Sequence, residues 1–398
     1  MSMPAAEVEK PIFAAAESPV KTQRRHDLDW LRVIAIFLLL FYHCGMAFVA
    51  EWGWHIKNAE TSNIFQEWMF FMSRWRMALL FLISGAGTWF VLKRATAGEY
   101  IGRRFLRLFI PLVFGMFVVV PPQIYMERLV QGVNYGSYLD FYPSVFSFRP
   151  YPEGNFSWHH LWFIAYLFLF STLALPIFLF LRSDRGRALL NRIAENVNAP
   201  LLYCFGLPLA LIFAGLIMKF PGPQNLINDW AMFLVYFTYF VYGFVFTMSA
   251  KFSEVLEQKR GLSLRLACLC YLVITYLRWN DVEPARGYSA PYLLYLGLLA
   301  FNTWFWVLTI LGYGKRYLNR KNALLTYANE AIYPFYILHQ TVIVVLVYYV
   351  VKTTDTILLK FLFLSAASFI VTVATYHFLV RPFTITRFLF GMKTGAQD

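Results

Sequence analysis

Long apolar runs recur along the whole chain and are separated by short polar stretches. Ten of these runs approach the ~20 residues that an α-helix needs to cross a bilayer. They cover residues 30–50, 66–92, 105–125, 160–181, 200–219, 229–249, 263–278, 290–311, 329–351 and 357–379, of which the seventh is short. The pattern predicts an all-α polytopic membrane protein with about ten transmembrane helices.

Composition supports this fold class. Of the 398 residues, 59% are hydrophobic and only 14% are charged, whereas about a quarter of the residues of a soluble domain are charged. The first run is of full spanning length and follows a polar segment, which predicts an uncleaved anchor and no signal peptide. We expect a disordered cytoplasmic tail at 1–27, a single transmembrane domain at 28–390 and a short cytoplasmic tail at 391–398.

The distribution of charge explains the net charge of +13. With the N-terminus in the cytoplasm, 24 lysines and arginines fall in cytoplasmic loops and 6 fall in outer loops or segment ends. This asymmetry follows the positive-inside rule, so both termini are expected in the cytoplasm. The basic excess therefore implies no nucleic-acid partner. No cysteine–histidine spacing or carboxylate cluster predicts a metal site.

Arg32 and His43 both lie in the first apolar run, eleven residues apart. At ~100° per residue they share one face of a helix, about 16 Å apart. Ionisable groups in a spanning helix usually face the bundle interior or a water-filled path and have a function there. We favour a functional pair; the alternative is a snorkelling Arg32 and an unrelated buried His43.

The second run carries Arg74 and Arg76 at its outer end, against the charge rule. Residues two apart do not share a helix face, so at most one is expected to point into the bundle. Arg76 lies deeper, and we predict that it clamps an anion or an acyl oxygen. The small residues from Ser84 to Gly87 predict close helix approach, with a narrow ligand passage as the alternative.

Arg103, Arg104 and Arg107 lie where the third run begins. The N-terminal end of a helix already carries positive charge, so a cluster of arginines there suits a phosphate-bearing ligand. Anchoring to lipid headgroups by the positive-inside rule explains the cluster equally well.

The outer segments carry further candidates. His55, in the first outer loop, is expected to be exposed, with a substrate contact as the alternative. The loop 126–158 is rich in aromatic residues and is expected to fold over the bundle, where the rings stack on sugars or anchor at the interface. It leads to His159 and His160, one of which is placed to face inward.

The ninth run places His339 about ten residues from its cytoplasmic end, roughly 15 Å in and near mid-bilayer. Tyr336 and His339 are three apart and share a face. Pro334 falls in the first turns, where proline is tolerated. A second histidine at this depth supports a polar centre; a core histidine bonded to a neighbouring helix is the alternative.

Five stretches, in this order and spacing, resemble the acyltransferase 3 family of integral-membrane acyltransferases. They are Leu28 to Arg32 with ten residues to His43, Arg76 to Gly85, Arg104 to Arg107 with Pro111, His160 to Phe163, and Ile332 to His339. Within the family, the segments Trp54 to Glu60 and Tyr239 to Gly243 are most similar to the branch that succinylates osmoregulated periplasmic glucans.

The resemblance implies an O-acyltransferase that moves an acyl group, acetyl or succinyl, from cytoplasmic acyl-CoA to a hydroxyl of an extracytoplasmic glycan. His43 would be the base or the acyl carrier, and Arg76 or Ser84 would stabilise the oxyanion. A carboxylate that would orient His43 is not evident, because Asp29 lies ~21 Å away along the helix.

The remaining roles follow from the same resemblance. Arg32 would line the path of the donor, and His339 would belong to the catalytic group. CoA phosphates would be held by Arg103, Arg104 and Arg107, and substrate contacts would come from His160, Trp162, Tyr336 and His55. Acyl-CoA, a glycan and the bilayer are the expected partners, with no permanently bound cofactor or metal, and the location that the resemblance implies is a bacterial cytoplasmic (inner) membrane.

Two other functions are compatible with the polar residues. A transporter or flippase of lipid-linked saccharides would use the histidines to relay protons, although paired interrupted helices typical of transporters are not seen. A catalytically inactive protein would bind acyl-CoA without turnover.

Overall fold

The computed structural model describes residues 25–222 and 224–393. Within these ranges the chain is α-helical and contains no β-strand. The helices that position the site are α1 (His26–Gly45), α2 (Asn63–Leu92), α3 (Ala97–Val130), α4 (Trp162–Leu173), α5 (Leu175–Arg182), α6 (Asp184–Glu195), α7 (Ala199–Leu216), α8 (Trp230–Met248), α9 (Ala250–Trp279), α10 (Ala290–Tyr317), α11 (Ala323–Val350), α12 (Ile357–Thr375) and α13 (Thr384–Leu389).

The number of spans agrees with the sequence. Among the described residues, nine helices are individually long and apolar enough to cross a membrane, and α4 with α5 makes a tenth that is bent by 46°. The bend lies at Ala174, just before Pro176 near the start of α5. Proline lacks the N–H that would continue the helical ladder, which explains the break. The prediction of a polytopic all-α protein is confirmed.

Several helices extend beyond their apolar runs. Thr96 and Glu99 form a capping box that starts α3 at Ala97, and Ser249 caps α9 at Ala250. The polar segments 93–104 and 250–262, which separate predicted apolar runs, are therefore mostly helical. Hydropathy detects only the apolar part of a helix, whereas the cap decides where the helix begins.

Two expected helix positions also change. Asn322 caps α11, which begins at Ala323, so Pro334 lies inside the helix and not in its first turns. His43 lies in the last turn of α1, which ends at Gly45. Of the predicted tails, residues 1–24 and 394–398 lie outside the described residues.

Polar contacts between α1 and α11 define the two ends of the bundle. Arg32 donates to the Asn329 side chain at 2.8 Å, and His43 meets His339 at 3.0 Å. The two helices therefore run parallel. Arg387, near the C-terminus, donates to Glu330, beside Asn329, at 2.9 Å. Both described ends of the chain thus lie near Arg32, at what we call the terminal end; His43 lies toward the opposite, distal end.

Helices α2 and α8 approach closely through two glycines. A Cβ on Gly85 would lie 1.8 Å from the Phe240 carbonyl oxygen, and one on Gly243 would lie 1.8 Å from that of Leu82. The close approach expected from the small residues of α2 is confirmed at Gly85. Gly87 has open space around it and borders a cavity.

Gly85 and Gly87 allow alanine substitutions at a packed and an open position to be compared within one helix. Gly85→Ala places a methyl group against backbone, and we expect a lower thermal unfolding midpoint or loss of folded protein in detergent, since overpacking costs about 1–3 kcal/mol. Gly87→Ala should raise the midpoint slightly, because glycine inside a helix costs roughly 0.5–1 kcal/mol relative to alanine. Equal midpoints for the two variants would contradict the packing.

Candidate active site

Two cavities lie at opposite ends of α1 and α2. The larger, of about 590 Å³, is at the distal end and the smaller, of about 330 Å³, is at the terminal end. Arg32 borders the smaller cavity and His43 the larger, and these two residues are eleven apart on α1, about 16 Å along the helix. The polar and aromatic lining of the larger cavity comprises Tyr42, His43, Trp54, His55, Ser73, Arg74, Arg76, His159, His160, Trp162, Phe213, Gln224, Tyr236, Tyr239, Thr303, Tyr336 and Gln340.

His43 and His339 form a hydrogen-bonded pair at the wall of this cavity. His43 Nδ1 lies 3.0 Å from His339 Nε2, and the rings stack with centroids 5.1 Å apart. His339 is fully buried, whereas His43 borders the cavity. The predicted mid-membrane histidines are thus in direct contact.

The pairing fixes which nitrogen of each neutral ring carries the proton. His339 Nδ1 lies 2.6 Å from the Tyr336 carbonyl oxygen, which only accepts, so this nitrogen is the donor. His339 Nε2 is then the acceptor, and His43 Nδ1 must donate to it. The lone pair of His43 therefore lies on Nε2, which bonds to no described residue. The partner that orients His43 is thus His339, which is itself held by the Tyr336 carbonyl. The sequence had shown no carboxylate that could orient His43.

His160 and Tyr336 support this pair from the start of α4 and from α11. His160 Nε2 donates to the Ile337 carbonyl at 2.9 Å, and the Tyr336 hydroxyl donates to the His160 carbonyl. The His160 ring lies edge-on to His339 at 5.5 Å. The candidates His160, Trp162, Tyr336 and His55 all border the cavity, and so does His159, although only one of the adjacent histidines was expected to face inward.

Arg76 places a guanidinium in the cavity wall. The residue is 4% exposed, and its guanidinium carbon lies 3.8 Å from the centroid of the Tyr42 ring. Its Nε and Nη1 are buried and bond to no described residue. A buried cationic donor without a partner is costly, so the position suits an oxyanion or an acyl carbonyl oxygen.

Arg74 borders the same cavity, and the expectation that at most one of these arginines points into the bundle is wrong. The cavity also touches Ser73, Met77 and Ala78, so it wraps around this turn of α2. Long side chains on different faces of α2 therefore reach the cavity. Arg74 Nε donates to Ser73 Oγ at 3.1 Å.

Ser84 does not belong to the site. Its hydroxyl donates to the Leu80 carbonyl of its own helix at 2.8 Å, and it borders neither cavity. Ser84 lies eight residues from Arg76, about 12 Å along α2. A role for Ser84 at the reacting carbonyl is therefore incompatible with its position.

The smaller cavity is rich in cationic side chains. It is bordered by Arg25, Arg32, Lys93 and Arg94, with one carboxylate from Asp29. Arg32 also contacts Asp29 at 3.3 Å. The structure thus places Arg32 at the terminal end, away from His43.

The three clustered arginines of α3 are not at a helix start. Because α3 begins at Ala97, Arg103 and Arg104 lie in the second turn and their backbone N–H groups are not helix-terminal. Arg103 and Arg107 are exposed, and Arg104 donates to Thr88 Oγ1 at 2.8 Å. The argument from free N–H groups is therefore wrong, and none of the three borders the smaller cavity.

His55 is held in a polar cluster at the distal edge of the larger cavity. Its Nδ1 donates to Glu127 Oε2 at 2.8 Å, and its Nε2 meets the Gln340 amide at 3.0 Å. Tyr151 donates to the other carboxylate oxygen of Glu127 at 2.5 Å. Burial and this contact with Glu127 raise the pKa of Tyr151, so the phenol keeps its proton.

Lys57 fixes the loop that carries His55. Its ammonium donates to the carbonyls of Met46 at 3.1 Å and Trp52 at 3.2 Å, and also to that of Val49. These acceptors include the exit of α1, where carbonyls lack helical partners. His55 is consequently ordered and partly buried, not exposed as expected.

The aromatic outer loop folds onto α3, as predicted. Phe141 and Val145 are fully buried, and Phe117 stacks on Phe146 at 5.4 Å. No residue of 126–158, all of which the structure describes, borders the larger cavity. Sugar stacking in that cavity would instead involve Trp54, Trp162 and tyrosines of α8.

Sequence reasoning missed Glu127, Gln340 and the tyrosines of α8. Glu127 is a carboxylate at the end of an apolar run, which is a recognisable signal. Gln340 follows His339 directly. Tyr236 gave no signal, because aromatic residues are common throughout this chain, and Tyr239 was noted only as the start of a segment that resembles the glucan branch, with no role in the site.

Comparison with known proteins gives a family. The model of the family described as Acyltransferase domain matches residues 25–377. Glucans biosynthesis protein C of Escherichia coli K12 is 25% identical over 335 residues, which is 81% of this chain and 83% of the relative. The protein of the same name from Escherichia coli O157:H7 gives the same identity and coverage. No solved structure matches the chain.

The unpaired donors of Arg76 lead to a stability prediction. Arg76→Met removes a buried charge that has no carboxylate partner among the described residues, and we expect the thermal midpoint of the ligand-free protein to rise by about 2–4 °C. Arg278→Met is the matched control. Arg278 also lies on a ring, Phe70, but is paired with Glu51 and Glu67 at 3.0 Å. This control should lower the midpoint; a fall of similar size in both variants would contradict the prediction.

Proposed function

The chain belongs to the family of the Acyltransferase domain, and from that premise we propose that it transfers an acyl group, acetyl or succinyl, from acyl-CoA to a hydroxyl of an extracytoplasmic glycan. The glycan class rests on the similarity to the glucans biosynthesis proteins. The observation that carries the proposal is the His43–His339 pair beside Arg76 in one cavity.

His43 Nε2 is the group that handles the proton. As the acceptor hydroxyl oxygen bonds to the thioester carbon, Nε2 takes its proton, and the C–S bond breaks to release CoA, which receives that proton. Alternatively, Nε2 bonds to the thioester carbon, the C–S bond breaks, and CoA leaves as a thiolate that takes a proton from the imidazole; the glycan hydroxyl oxygen then takes the acyl group from Nε2, and its proton returns to the imidazole. Both routes need the lone pair on Nε2, and His339 supports this tautomer by accepting from Nδ1.

Arg76 supplies charge where the reaction develops it. The thioester oxygen becomes negative in the transition state, and a preorganised buried donor is most effective there. Its Nε and Nη1 are unbonded and buried in the wall that also carries His43. Ligand binding would thus offset the cost of leaving the guanidinium without a partner.

We place the CoA phosphates in the smaller cavity. Arg32, Lys93 and Arg94 border it, and guanidinium groups suit phosphate oxygens. The pantetheine arm has about the length of four extended residues, ~15 Å, which matches the ~16 Å along α1 from Arg32 to His43. The exposed Arg103 and Arg107 lie at the same end and would flank this site.

The arm must pass between packed helices. Ala35 and Ile36 on α1 and Leu79 and Leu80 on α2 lie at the heights between the cavities, and all four are buried. A donor path along this seam requires these apolar side chains to part. The terminal end is cytoplasmic in this proposal, as the excess of basic residues in its loops favours.

The proposal is tested by mass spectrometry of surface and periplasmic glycans from cells that express the wild type or His43→Ala at equal membrane levels. We expect a mass increase of one acetyl or succinyl group with the wild type alone, which would identify donor and acceptor. Identical glycans in a host that contains the native acceptor would contradict acyl transfer and favour a transporter.

His339 acts through His43, so its variants need a different readout. His339→Leu removes the acceptor for Nδ1, and we expect kcat to fall by about 10²–10⁴-fold with little change in KM for acyl-CoA. His339→Gln retains a side-chain acceptor and should recover part of the rate. A loss that is equal in both variants and is accompanied by unfolding would show a merely structural role.

The phosphate site gives a separate prediction. Combined Lys93→Ala and Arg94→Ala should weaken CoA binding to the purified protein by roughly tenfold or more for each charged hydrogen bond that is removed, because such a bond contributes ~1.5–3 kcal/mol. The matched control is combined Arg103→Ala and Arg107→Ala, which removes the same charge at the same end. Isothermal titration with CoA measures both, and a larger effect in the control would move the site to α3.

A further inference from the structure

Three residues from separate segments meet at the distal edge of the larger cavity. His55 lies in the loop between α1 and α2, Glu127 lies on α3, and His159 precedes α4. One ligand atom of each lies within 4.8 Å of the others. Because they are far apart in the chain, sequence spacing did not indicate a metal site.

His159, one of the three residues of this cluster, has a ring nitrogen without a partner. Its Nε2 is buried and bonds to no described residue, while Nδ1 bonds to Ser157 Oγ at 2.8 Å. The Ser157 hydroxyl also accepts from the His159 backbone N–H at 3.0 Å, which holds the residue in a left-handed conformation with φ of 40°. Burying a ring nitrogen without a partner is costly whether it donates or accepts, so a partner is missing at this position.

The other atom of each residue is already held. Glu127 Oε1 accepts from the Tyr151 hydroxyl at 2.5 Å and from Gln131 at 3.2 Å. His55 Nε2 meets the Gln340 amide at 3.0 Å. Metal-binding histidines and carboxylates are characteristically oriented by hydrogen bonds at the atom that does not bind the ion. All three residues have this arrangement.

We propose that His55 Nδ1, Glu127 Oε2 and His159 Nε2 bind a divalent transition-metal ion, with Zn²⁺ the best match to the donors. Two imidazoles and one carboxylate are an established zinc-binding set. Metal–ligand bonds of ~2.0–2.1 Å in a tetrahedron place neighbouring ligand atoms about 3.3 Å apart. The separations in the cluster run from 2.8 Å to at most 4.8 Å, so rotations of the side chains close the site.

Binding needs no net loss of a proton from the ligands. His55 Nδ1 now donates to Glu127, and this proton moves to Nε2 when Nδ1 takes the metal. A half-turn of the Gln340 amide then presents its oxygen to that N–H. His159 carries its proton on Nδ1 when Nε2 binds the metal, and Ser157 Oγ accepts that proton's hydrogen bond.

Three protein ligands leave one tetrahedral position free. His55 and His159 both border the larger cavity, so this position faces the space shared with His43 and Arg76. Zinc sites with three protein ligands and an open position bind water or a substrate oxygen. A hydroxyl of a saccharide is the class of ligand that this position fits. Occupation by Zn²⁺ itself does not depend on the proposed acyl transfer.

The test is metal binding by the full-length protein, purified in detergent without a polyhistidine tag and stripped with a chelator. Zn²⁺ is titrated in competition with a chromogenic chelator, and Co²⁺ is added separately to record visible absorption bands. We expect one tight equivalent of Zn²⁺, a tetrahedral Co²⁺ spectrum and a higher thermal midpoint with Zn²⁺. Glu127→Gln and His159→Gln should each weaken binding on the order of 100-fold or more, and Tyr151→Phe by roughly tenfold.

Glu51→Gln is the matched control. Glu51 lies in the same outer loop as His55, but its carboxylate pairs with Arg278 and not with the cluster. It should bind Zn²⁺ like the wild type. Equal binding by the wild type and both ligand variants would show adventitious metal and overturn the site. Folded wild type that acylates glycans but binds no Zn²⁺ would also overturn the site and leave a metal-free His55–Glu127 hydrogen bond, without affecting the proposed function.

Discussion

The hydrogen bond between His43 and His339 joins two helices at a depth where the bilayer supplies no alternative partner. In hydrocarbon, each polar group must be satisfied within the protein, and His339 meets this demand with the Tyr336 carbonyl on one side and His43 on the other. The same geometry leaves the second nitrogen of His43 facing the cavity. This one hydrogen bond therefore fixes the register of α1 against α11. It also determines that Nδ1 of His43, the catalytic candidate, carries the proton.

Arg76 differs from this hydrogen-bonded histidine pair. Its Nε and Nη1 are buried but bond to no described residue. Arg278, also placed against an aromatic ring, is paired with two glutamates. A fold selected only for stability would pair or remove such a charge. The contrast indicates that the Arg76 position is kept for a ligand, which is the trade between stability and function expected at an active site.

The span count and several residues of the site were predictable from the sequence, because both depend on local properties. A run of apolar residues shows itself in any window, and an ionisable residue inside such a run is conspicuous at His43, Arg76 and His339. Helix starts were predicted less well, since Thr96 and Asn322 are polar caps beyond the apolar windows. The direction of long side chains was not predictable, as Arg74 shows, because the cavity wraps around its helix.

Contacts between distant segments were out of reach for a different physical reason, which is that they exist only once the bundle is packed. His55, Glu127 and His159 lie in three segments that only this packing brings together. No orienting partner for His43 was evident from its neighbours along the chain, and a histidine 296 residues away fills that place.

Helix α11 connects these separate features. Its side chains contact different parts of the protein along its length: Asn329 contacts Arg32, His339 contacts His43, and Gln340 contacts His55. Two neighbouring residues thus reach the proton-handling histidine and the His–Glu–His cluster. Pro334 lies between Asn329 and His339 and removes one ladder hydrogen bond, yet α11 continues to Val350. One continuous helix therefore sets the spacing between the contacts at the two ends of the bundle.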